Sequence, residues 1–216
     1  HHQRQWELRV TPYYTRVNDY IDAVARPGFA AEQFNVLQYA NQSARLYGLD
    51  VSGRLALAAT AWGQWGLSGL LNYTRGENRD TGDHLYNIMP LNARVSLTHQ
   101  YGGWDNALEW VGVKGKKEVS DARNEIKTPG YGLVNLRSGH AWQKLRVDVG
   151  VENLFDRMYY LPLGGAYVGE GATMSFNKEA GNVARSGMGL SGTQSMWGTA
   201  VPGMGRSIYA GISYSF

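Results

Sequence analysis

Tyr209-Ala-Gly-Ile-Ser-Tyr-Ser-Phe216 alternates two kinds of side chain along the last residues of the sequence. One set is apolar or aromatic and comprises Ile208, Ala210, Ile212, Tyr214 and Phe216. The other set is small and mostly polar and comprises Ser207, Gly211, Ser213 and Ser215. A period of two is typical of a β-strand with one apolar and one polar face. We expect this strand to close a membrane barrel, with its polar face toward a wet lumen.

The composition favours strands and turns over helices. The 216 residues include 28 Gly, 14 Tyr and 7 Trp, but only 6 Pro and no Cys,. No stretch approaches the roughly 18 to 20 consecutive apolar residues of a transmembrane helix, whereas a spanning strand needs only alternation. The formal net charge is +3. Because basic residues do not cluster among aromatic ones, we expect no nucleic-acid partner.

Seven further segments alternate in the same way, so that the sequence predicts about eight antiparallel strands. They are residues 5–17, 36–57, 65–75, 91–101, 105–113, 131–138 and 145–155. Residues 145–155 alternate most clearly, since Val147, Val149 and Val151 stand opposite Arg146, Asp148 and Glu152. Those charges need a wet face. The faces of residues 105–113 and 131–138 stay unassigned, because their alternation is poor.

The connections between the predicted strands fall into two classes of length. Short links lie at residues 60–64, 102–104 and 140–143, and long ones at 18–35, 76–90, 114–130 and 157–205. Short turns at one end and long loops at the other are typical of outer-membrane barrels. Aromatic residues gather at the short-turn end, namely Trp62, Trp65, Tyr101, Trp104 and Trp142. We predict that these five form an interfacial aromatic girdle.

Three internal motifs resemble segments of TonB-dependent receptors, and they occur in the order that this family shows. Asn41-Gln-Ser-Ala-Arg-Leu-Tyr-Gly48-Leu-Asp50 is similar to an Asn-rich strand of the family, and Asp83-His84-Leu85-Tyr86-Asn87-Ile88-Met89-Pro90 is similar to a loop that leads back into a strand. The third motif resembles the signature of the penultimate strand and comprises Asn153, Leu154, Phe155, Asp156 and Tyr159. Gly211, Tyr214 and Phe216 also resemble the C-terminal assembly signal of outer-membrane barrels, although Tyr209 replaces its usual polar residue.

The resemblance implies a transport receptor of the bacterial outer membrane and no enzyme. Barrels of this family have about 22 strands around a plugged lumen, so residues 1–216 correspond to the C-terminal part of such a barrel. The plug, its TonB-binding motif and the earlier strands are then absent from this sequence. The implied partners are outer-membrane lipid, the barrel assembly machinery, TonB through the missing plug, and a small metal or chelate substrate. No resident cofactor is implied.

Within the family, two segments resemble the copper receptors most closely, namely residues 160–169 and 201–207. Five of the six methionines lie at Met158 or later, and thioether sulfur is a soft ligand that selects Cu(I). We therefore consider Met174, Met188 and Met196 as metal ligands, with loop residue His84 as a further candidate. Ordinary packing methionines are the alternative. A siderophore-iron receptor is the alternative within the family, because such receptors share most of the motifs.

Three interpretations outside this assignment also fit parts of the sequence. An outer-membrane enzyme could pair His99 with Ser96 or Thr98, although no nucleophile motif accompanies them,. Eight strands could close into an autonomous small barrel that acts as a channel. They could also form a soluble ligand-binding barrel, in which the apolar faces point inward. Dependence on detergent separates the membrane interpretations from the soluble one.

The histidines are placed by the same strand assignment: His84 and His140 are expected in connections, and His99 in a strand.

Overall fold

Eight strands form one antiparallel sheet in the computed structural model, which describes residues 5–26, 37–123, 125–163, 174–177, 182–185, 195–196 and 200–216. Their bounds are β1 Trp6–Ala25, β2 Leu37–Thr60, β3 Gly63–Asn78, β4 Asn92–Tyr101, β5 Trp104–Val113, β6 Tyr131–Trp142, β7 Leu145–Glu152 and β11 Ser207–Tyr214. Each strand pairs with the next along the chain, and β11 pairs with β7. The predicted all-β fold of about eight antiparallel strands is confirmed.

A second, smaller sheet lies in the longest connection, where the sequence predicted only a loop. It consists of β8 Met174–Asn177, β9 Asn182–Arg185 and β10 Ser195–Met196. These strands are only four, four and two residues long. Segments this short are below the length over which alternation can be recognised.

The pairing register places one apolar residue from every strand of the large sheet side by side. This apolar row consists of Trp6, Leu55, Leu67, Leu97, Leu108, Leu136, Val151 and Ile208. One residue further along, the row on the other side of the sheet includes Glu7, Arg54, Ser68, Ser96, Glu109 and Asn135. Successive side chains of a strand point to opposite faces. The sheet therefore has an apolar face and a polar face, named here after these two rows.

The apolar face is open to its surroundings. Leu8, Ile208 and Ile212 are 60%, 78% and 76% exposed. Buried apolar side chains lie mainly at the long-loop end, where Leu85 and Val119 are 2% and 4% exposed. A contiguous apolar surface of this extent requires an apolar surrounding or a partner.

The two strands with unassigned faces contain residues of the wrong polarity on each side. Leu108 and Trp110 of β5 lie on the apolar face, yet Asn106 lies on that face too. In β6, Leu136 lies on the apolar face beside Ser138, whereas Leu133 lies on the polar face. This mixture explains why the sequence alone left both strands unassigned.

Several of the predicted strand limits were wrong, and strands β2 and β3 each extend up to three residues beyond the predicted ends. Strand β1 continues to Ala25 instead of ending at residue 17, because a bulge between Val17 and Tyr20 interrupts the alternation. Asp19 in this bulge has a φ of 57°. Strand β7 ends at Glu152 rather than 155, since Asn153 turns the chain with a φ of 50°. His140, expected in a connection, pairs within β6.

The large sheet is open. Within the part of the chain that the structure describes, β1 and β11 each pair on one side only. The alternative of a closed eight-stranded barrel requires these two strands to pair with each other, and the described strands do not do so. No helix among the described residues is long and apolar enough to cross a membrane.

Candidate functional site

The polar face carries a band of ion pairs and amide hydrogen bonds. Glu7 and Arg54 form a salt bridge of 2.8 Å. Glu109 accepts a hydrogen bond of 3.0 Å from Asn135 Nδ2 and lies 3.5 Å from Arg94 Nε. A depression of about 190 Å³ is lined by Arg94, Glu109 and Asn135 among others. Charged groups keep such partners at a surface that is wetted or that contacts polar protein.

Gly48 of the first family motif allows a cross-strand bond on the polar face. The ring of Tyr13 lies over Gly48, and the Tyr13 hydroxyl is 2.6 Å from Thr74 Oγ1. A Cβ atom at position 48 would lie 2.1 Å from the Tyr73 carbonyl oxygen and 2.4 Å from the Tyr13 hydroxyl oxygen. Only glycine therefore fits where these three strands meet.

Asp83 joins two long loops at the end of the sheet. Its side-chain carboxylate accepts hydrogen bonds from the backbone N–H groups of Asp121 and Ala122, at 2.9 and 3.0 Å. It also accepts from Ser120 Oγ at 3.0 Å and from its neighbour His84 N at 2.8 Å. One carboxylate thus connects residues 79–91 to residues 114–130.

Glu125 makes the return connection from the second loop to the first. Its carboxylate accepts from the backbone N–H of Asn87 at 2.8 Å and of Ser120 at 2.9 Å. It also forms an ion pair with Lys116, which is only 2% exposed. A buried charge is stable only when paired in this way.

Asp22 connects the same loops to the end of β1. Asn78 Nδ2 donates to Asp22 Oδ2 at 3.0 Å, and the Arg123 guanidinium lies 3.5 Å from Asp22 Oδ1. The same guanidinium lies 5.0 Å above the ring of Tyr86. The two loops and the strand end are therefore held as one ordered unit, called the loop cluster below.

A cleft of about 360 Å³ lies under the loop cluster. His84 and Met89, which carry a ring nitrogen and a thioether sulfur, are among the residues that line it. Cationic side chains also line the cleft, namely Arg75, Lys114, Lys116 and Lys117. His84 Nδ1 is buried and has no hydrogen-bond partner among the described residues. This cleft offers donors for a soft metal and positive charge for an anion.

Sequence reasoning identified His84 but missed most of its surroundings. Met89, Asp83 and Gly48 all lie inside the family motifs, so the motifs were the available signal. Glu125 and Asp22 lie outside them, and nothing local in the sequence indicates their roles. In the part of the chain that is described, no group of three or more His, Cys, Asp or Glu residues could hold a metal ion.

The predicted methionine ligands lie where the structure describes no side chains. Met188 lies outside the described residues. Met174 and Met196 lie in β8 and β10, for which only the backbone is described. Their role as metal ligands stays a prediction.

Asn153 closes the turn after β7. It is 3% exposed, and its side-chain oxygen accepts from Arg157 N at 2.9 Å. Its amide nitrogen donates to the carbonyl oxygens of Arg157 at 2.9 Å and Met204 at 3.3 Å. Asn153 N donates in turn to Asn135 Oδ1 of β6 at 3.0 Å. One side chain thus connects the end of β7 to the segment that leads into β11.

The rest of this motif extends the same connection. Asp156 Oδ1 accepts from Arg206 N at 2.8 Å, and Gly203 N donates to Tyr159 O at 2.8 Å. The Tyr159 ring lies so close to Gly203 that a Cβ atom there would be 2.0 Å away. Leu154 N donates to Val134 O at 2.8 Å, and Phe155 is 72% exposed. The two ends of the longest connection are therefore held together.

The five residues of the predicted aromatic girdle lie at the short-turn end. Trp62 lies in the turn between β2 and β3, Tyr101 pairs with Trp104, and Trp142 pairs with Leu145. Trp65 stacks on His99, with ring centroids 4.3 Å apart. At the C-terminus, Tyr214 pairs with Leu145, and Phe216 contacts the Tyr214 ring at 5.3 Å. A Cβ atom added at Gly211 would meet no atom of the described residues within 4 Å.

The side-chain pairs that the alternative of an outer-membrane enzyme requires do not form. His99 lies on the apolar face, whereas Ser96 and Thr98 lie on the polar face. Ser96 Oγ donates to Glu109 Oε2 at 3.3 Å, and Thr98 Oγ1 donates to Gly66 O at 3.3 Å. A nucleophile needs a base within hydrogen-bond reach, and neither hydroxyl meets His99.

Comparison with known proteins identifies a shared fold. A family model described as "TonB dependent receptor-like, beta-barrel" matches residues 1–154. The solved structure "Copper transporter OprC" superposes with a TM-score of 0.74 at 23% identity, over 99% of this chain and 30% of that chain. For the ferric yersiniabactin uptake receptor FyuA from Yersinia pestis, the TM-score is 0.64 at 19% identity, over 99% of this chain and 28% of that chain. For the ferric citrate transporter FecA, the TM-score is 0.63 at 16% identity, over 99% of this chain and 29% of that chain.

The chain spans less than a third of the length of these solved structures. At such identities the likeness concerns the fold. The search of curated proteins found no match.

Proposed function

The chain belongs to the TonB-dependent receptor β-barrel family, and from this premise we propose that it forms the C-terminal barrel wall of an outer-membrane receptor importing a metal or metal chelate. The family consists of transport receptors. The observation that carries the proposal is the apolar row, which crosses all eight strands opposite a charged face. Such a sheet suits a wall between lipid and a polar lumen.

In this proposal each part of the chain has one task. The apolar face contacts lipid, and the polar face contacts water and the plug, which other parts of the receptor supply. The short turns face the periplasm, and the loop cluster faces the outside of the cell. TonB acts through the plug, and the barrel assembly machinery recognises Gly211, Tyr214 and Phe216.

Copper is the substrate we propose first. Superposition on the copper transporter OprC supports it, together with the His84 nitrogen and Met89 sulfur in the cleft. Thioether and imidazole ligands bind copper more readily than they bind Mg²⁺ or Ca²⁺, because these two ions prefer oxygen ligands such as carboxylates. Met174, Met188 and Met196 would add thioether ligands in the longest loop.

An iron chelate is the second candidate, and a different observation favours it. Lys114 and Lys117 line the cleft together with Arg75, which pairs with Glu118 at 3.1 Å. The buried Lys116 is neutralised by Glu125, so the surface of the cleft carries a net positive charge. A siderophore or citrate complex carries carboxylate or catecholate oxygens, which such a surface attracts. Fold similarity to FyuA and FecA is consistent with this candidate.

An uptake panel on the full-length receptor tests the proposal. Cells that lack other receptors would be supplied with copper, ferric citrate or ferric siderophores, with and without functional TonB. We expect one metal to accumulate in a TonB-dependent manner, and copper is the metal we propose. If no metal or chelate accumulates in a TonB-dependent manner, the proposed function is wrong; uptake of iron alone would select the second candidate.

A further inference from the structure

A chain of polar side chains crosses the apolar face where the pattern calls for apolar ones. His99, Asn106 and Ser138 pair in sequence across β4, β5 and β6, and Trp65 of β3 pairs with His99 at one end. The three residues His99, Asn106 and Ser138 are called the polar row below, and they lie next to the apolar row on its short-turn side. A polar group on a lipid-facing surface is costly unless it has a hydrogen-bond partner.

The hydrogen bonds within the polar row show which of its donor and acceptor atoms already have a partner. His99 Nε2 lies 2.7 Å from the carbonyl oxygen of Trp62, so it carries the proton,. The other ring nitrogen, Nδ1, then accepts from Asn106 Nδ2 at 3.3 Å. Ser138 Oγ donates to Asn106 Oδ1 at 2.6 Å. Among the described residues, the second N–H of Asn106 and the lone pairs of Ser138 remain available.

Aromatic rings surround the polar row on its short-turn side. The Trp65 ring lies 4.3 Å from that of His99. One row nearer the turns, the His140 ring centroid lies 4.6 Å from that of Trp104, in an edge-to-face contact, and 4.1 Å from that of Trp142. Aromatic residues of membrane proteins gather at the level of the lipid head groups. The polar row therefore lies between the head-group level and the hydrocarbon.

We propose that Asn106 and Ser138 bind the glycerol ester region of a phospholipid in the leaflet nearest the short turns. The free N–H of Asn106 donates to an ester carbonyl, and the Ser138 oxygen accepts from the head group. The acyl chains lie along Leu97, Leu108 and Leu136. An ester fits better than a free anion, because no residue of the polar row carries a positive charge. This inference rests on the membrane placement proposed above.

Ester and ether lipids separate this site from general lipid contact. The full-length receptor, purified in detergent, would be titrated with phosphatidylethanolamine and with its diether analogue, and bound lipid would be counted by native mass spectrometry. The two lipids differ in the carbonyl groups, so we expect the tightest site to bind the diester about fivefold more strongly. Equal affinity for the two lipids would overturn the proposal.

Matched variants assign the effect to the polar row. Asn106→Leu removes the amide and should abolish the preference for the ester. Val149→Leu, at the β7 residue that pairs with Ser138, removes no polar group and should keep the preference. The diester and diether lipids are also compared on the receptor without substitutions. A folding defect in Asn106→Leu would therefore not prevent the test. A preference that survives in Asn106→Leu would contradict the assignment. A receptor that needs no detergent would refute the membrane placement as well.

Discussion

At the scale of single residues, the surrounding structure restricts which side chain can occupy two positions in the family motifs. Gly48 lies under the Tyr13 ring, and Asn153 is buried with hydrogen bonds to two backbone segments. Gly48 acts through the space it leaves free, and Asn153 through its side-chain hydrogen bonds. Substitutions at these positions therefore test the structure and do not depend on which substrate the receptor carries.

Gly48→Ala should destabilise the folded receptor by about 1 to 3 kcal/mol, because the added Cβ atom meets the Tyr73 carbonyl oxygen and overpacks the site. Denaturant unfolding in detergent would measure the loss. Gly69→Ala is the matched control, since a Cβ atom there meets its nearest neighbour at 3.5 Å. Equal stability of the two variants would contradict this role of Gly48.

Asn153→Ala should lower the free energy of unfolding by about 2 to 4 kcal/mol, because several hydrogen bonds of a buried group are lost. Asn153→Asp keeps the acceptor for Arg157 N but places a buried carboxylate against the carbonyl oxygens of Arg157 and Met204, so its loss of stability should be at least as large,. The same unfolding measurement compares the three proteins. Two variants with no loss of stability would show that this turn does not depend on the side chain.

Substitution of the methionines tests the copper proposal at the same scale. Changing Met174, Met188 and Met196 together to leucine keeps apolar volume and removes the sulfur ligands. We expect weaker copper binding, measured by titration of the full-length receptor. Unaltered affinity would return these residues to a packing role.

At the scale of elements, the loop cluster is held together by the carboxylates of Asp22, Asp83 and Glu125. Asp83 and Glu125 each bind backbone groups of both loops, so the loops should open together. Asp83→Ala removes four hydrogen bonds to one carboxylate. Opening is governed by the local stability of such a unit.

Asp83→Ala should therefore speed backbone hydrogen exchange in residues 114–130 by about tenfold or more. Mass spectrometry of peptides from the full-length receptor would measure it. Asp80→Ala is the control, because Asp80 is exposed and its carboxylate binds Ser43 N alone among the described contacts. Similar exchange in the two variants would refute a shared loop cluster.

The C-terminal strand makes a separate prediction about assembly. Phe216 is fully exposed and its ring contacts that of Tyr214, so its removal should cost little stability. Deleting Phe216 should nevertheless reduce the amount of folded, heat-modifiable receptor in the outer membrane, because the assembly signal is lost. Ser215→Ala is the control. Unchanged amounts of folded receptor would refute the assembly role.

At the scale of the whole molecule, the sequence predicts the sheet better than it predicts the site. Strand β7 could be predicted, because valines alternate with charged residues and only one face of a strand can be wet. The end of β1 could not, since the bulge at Asp19 resets the alternation. The faces of strands β5 and β6 could not be assigned, because Asn106 and Ser138 are polar residues on the apolar face.

The loop cluster could not be derived from local pattern at all. Asp83 and Ser120 are 37 residues apart in the sequence, and Asp22 and Arg123 are 101 apart. Nothing in the surrounding composition indicates that these groups meet. The motif that contains His84 placed it in a loop, but only the fold brings that loop over the cleft.

The central claim is that the apolar face contacts lipid and the polar face does not. Single spin labels at positions 145 to 152 of β7, in a cysteine-free receptor reconstituted in lipid, test it most directly. We predict high collision rates with oxygen at 145, 147, 149 and 151, and with a water-soluble nickel complex at 146, 148, 150 and 152. Alternation of the opposite phase, with the even positions in lipid, would contradict the claim.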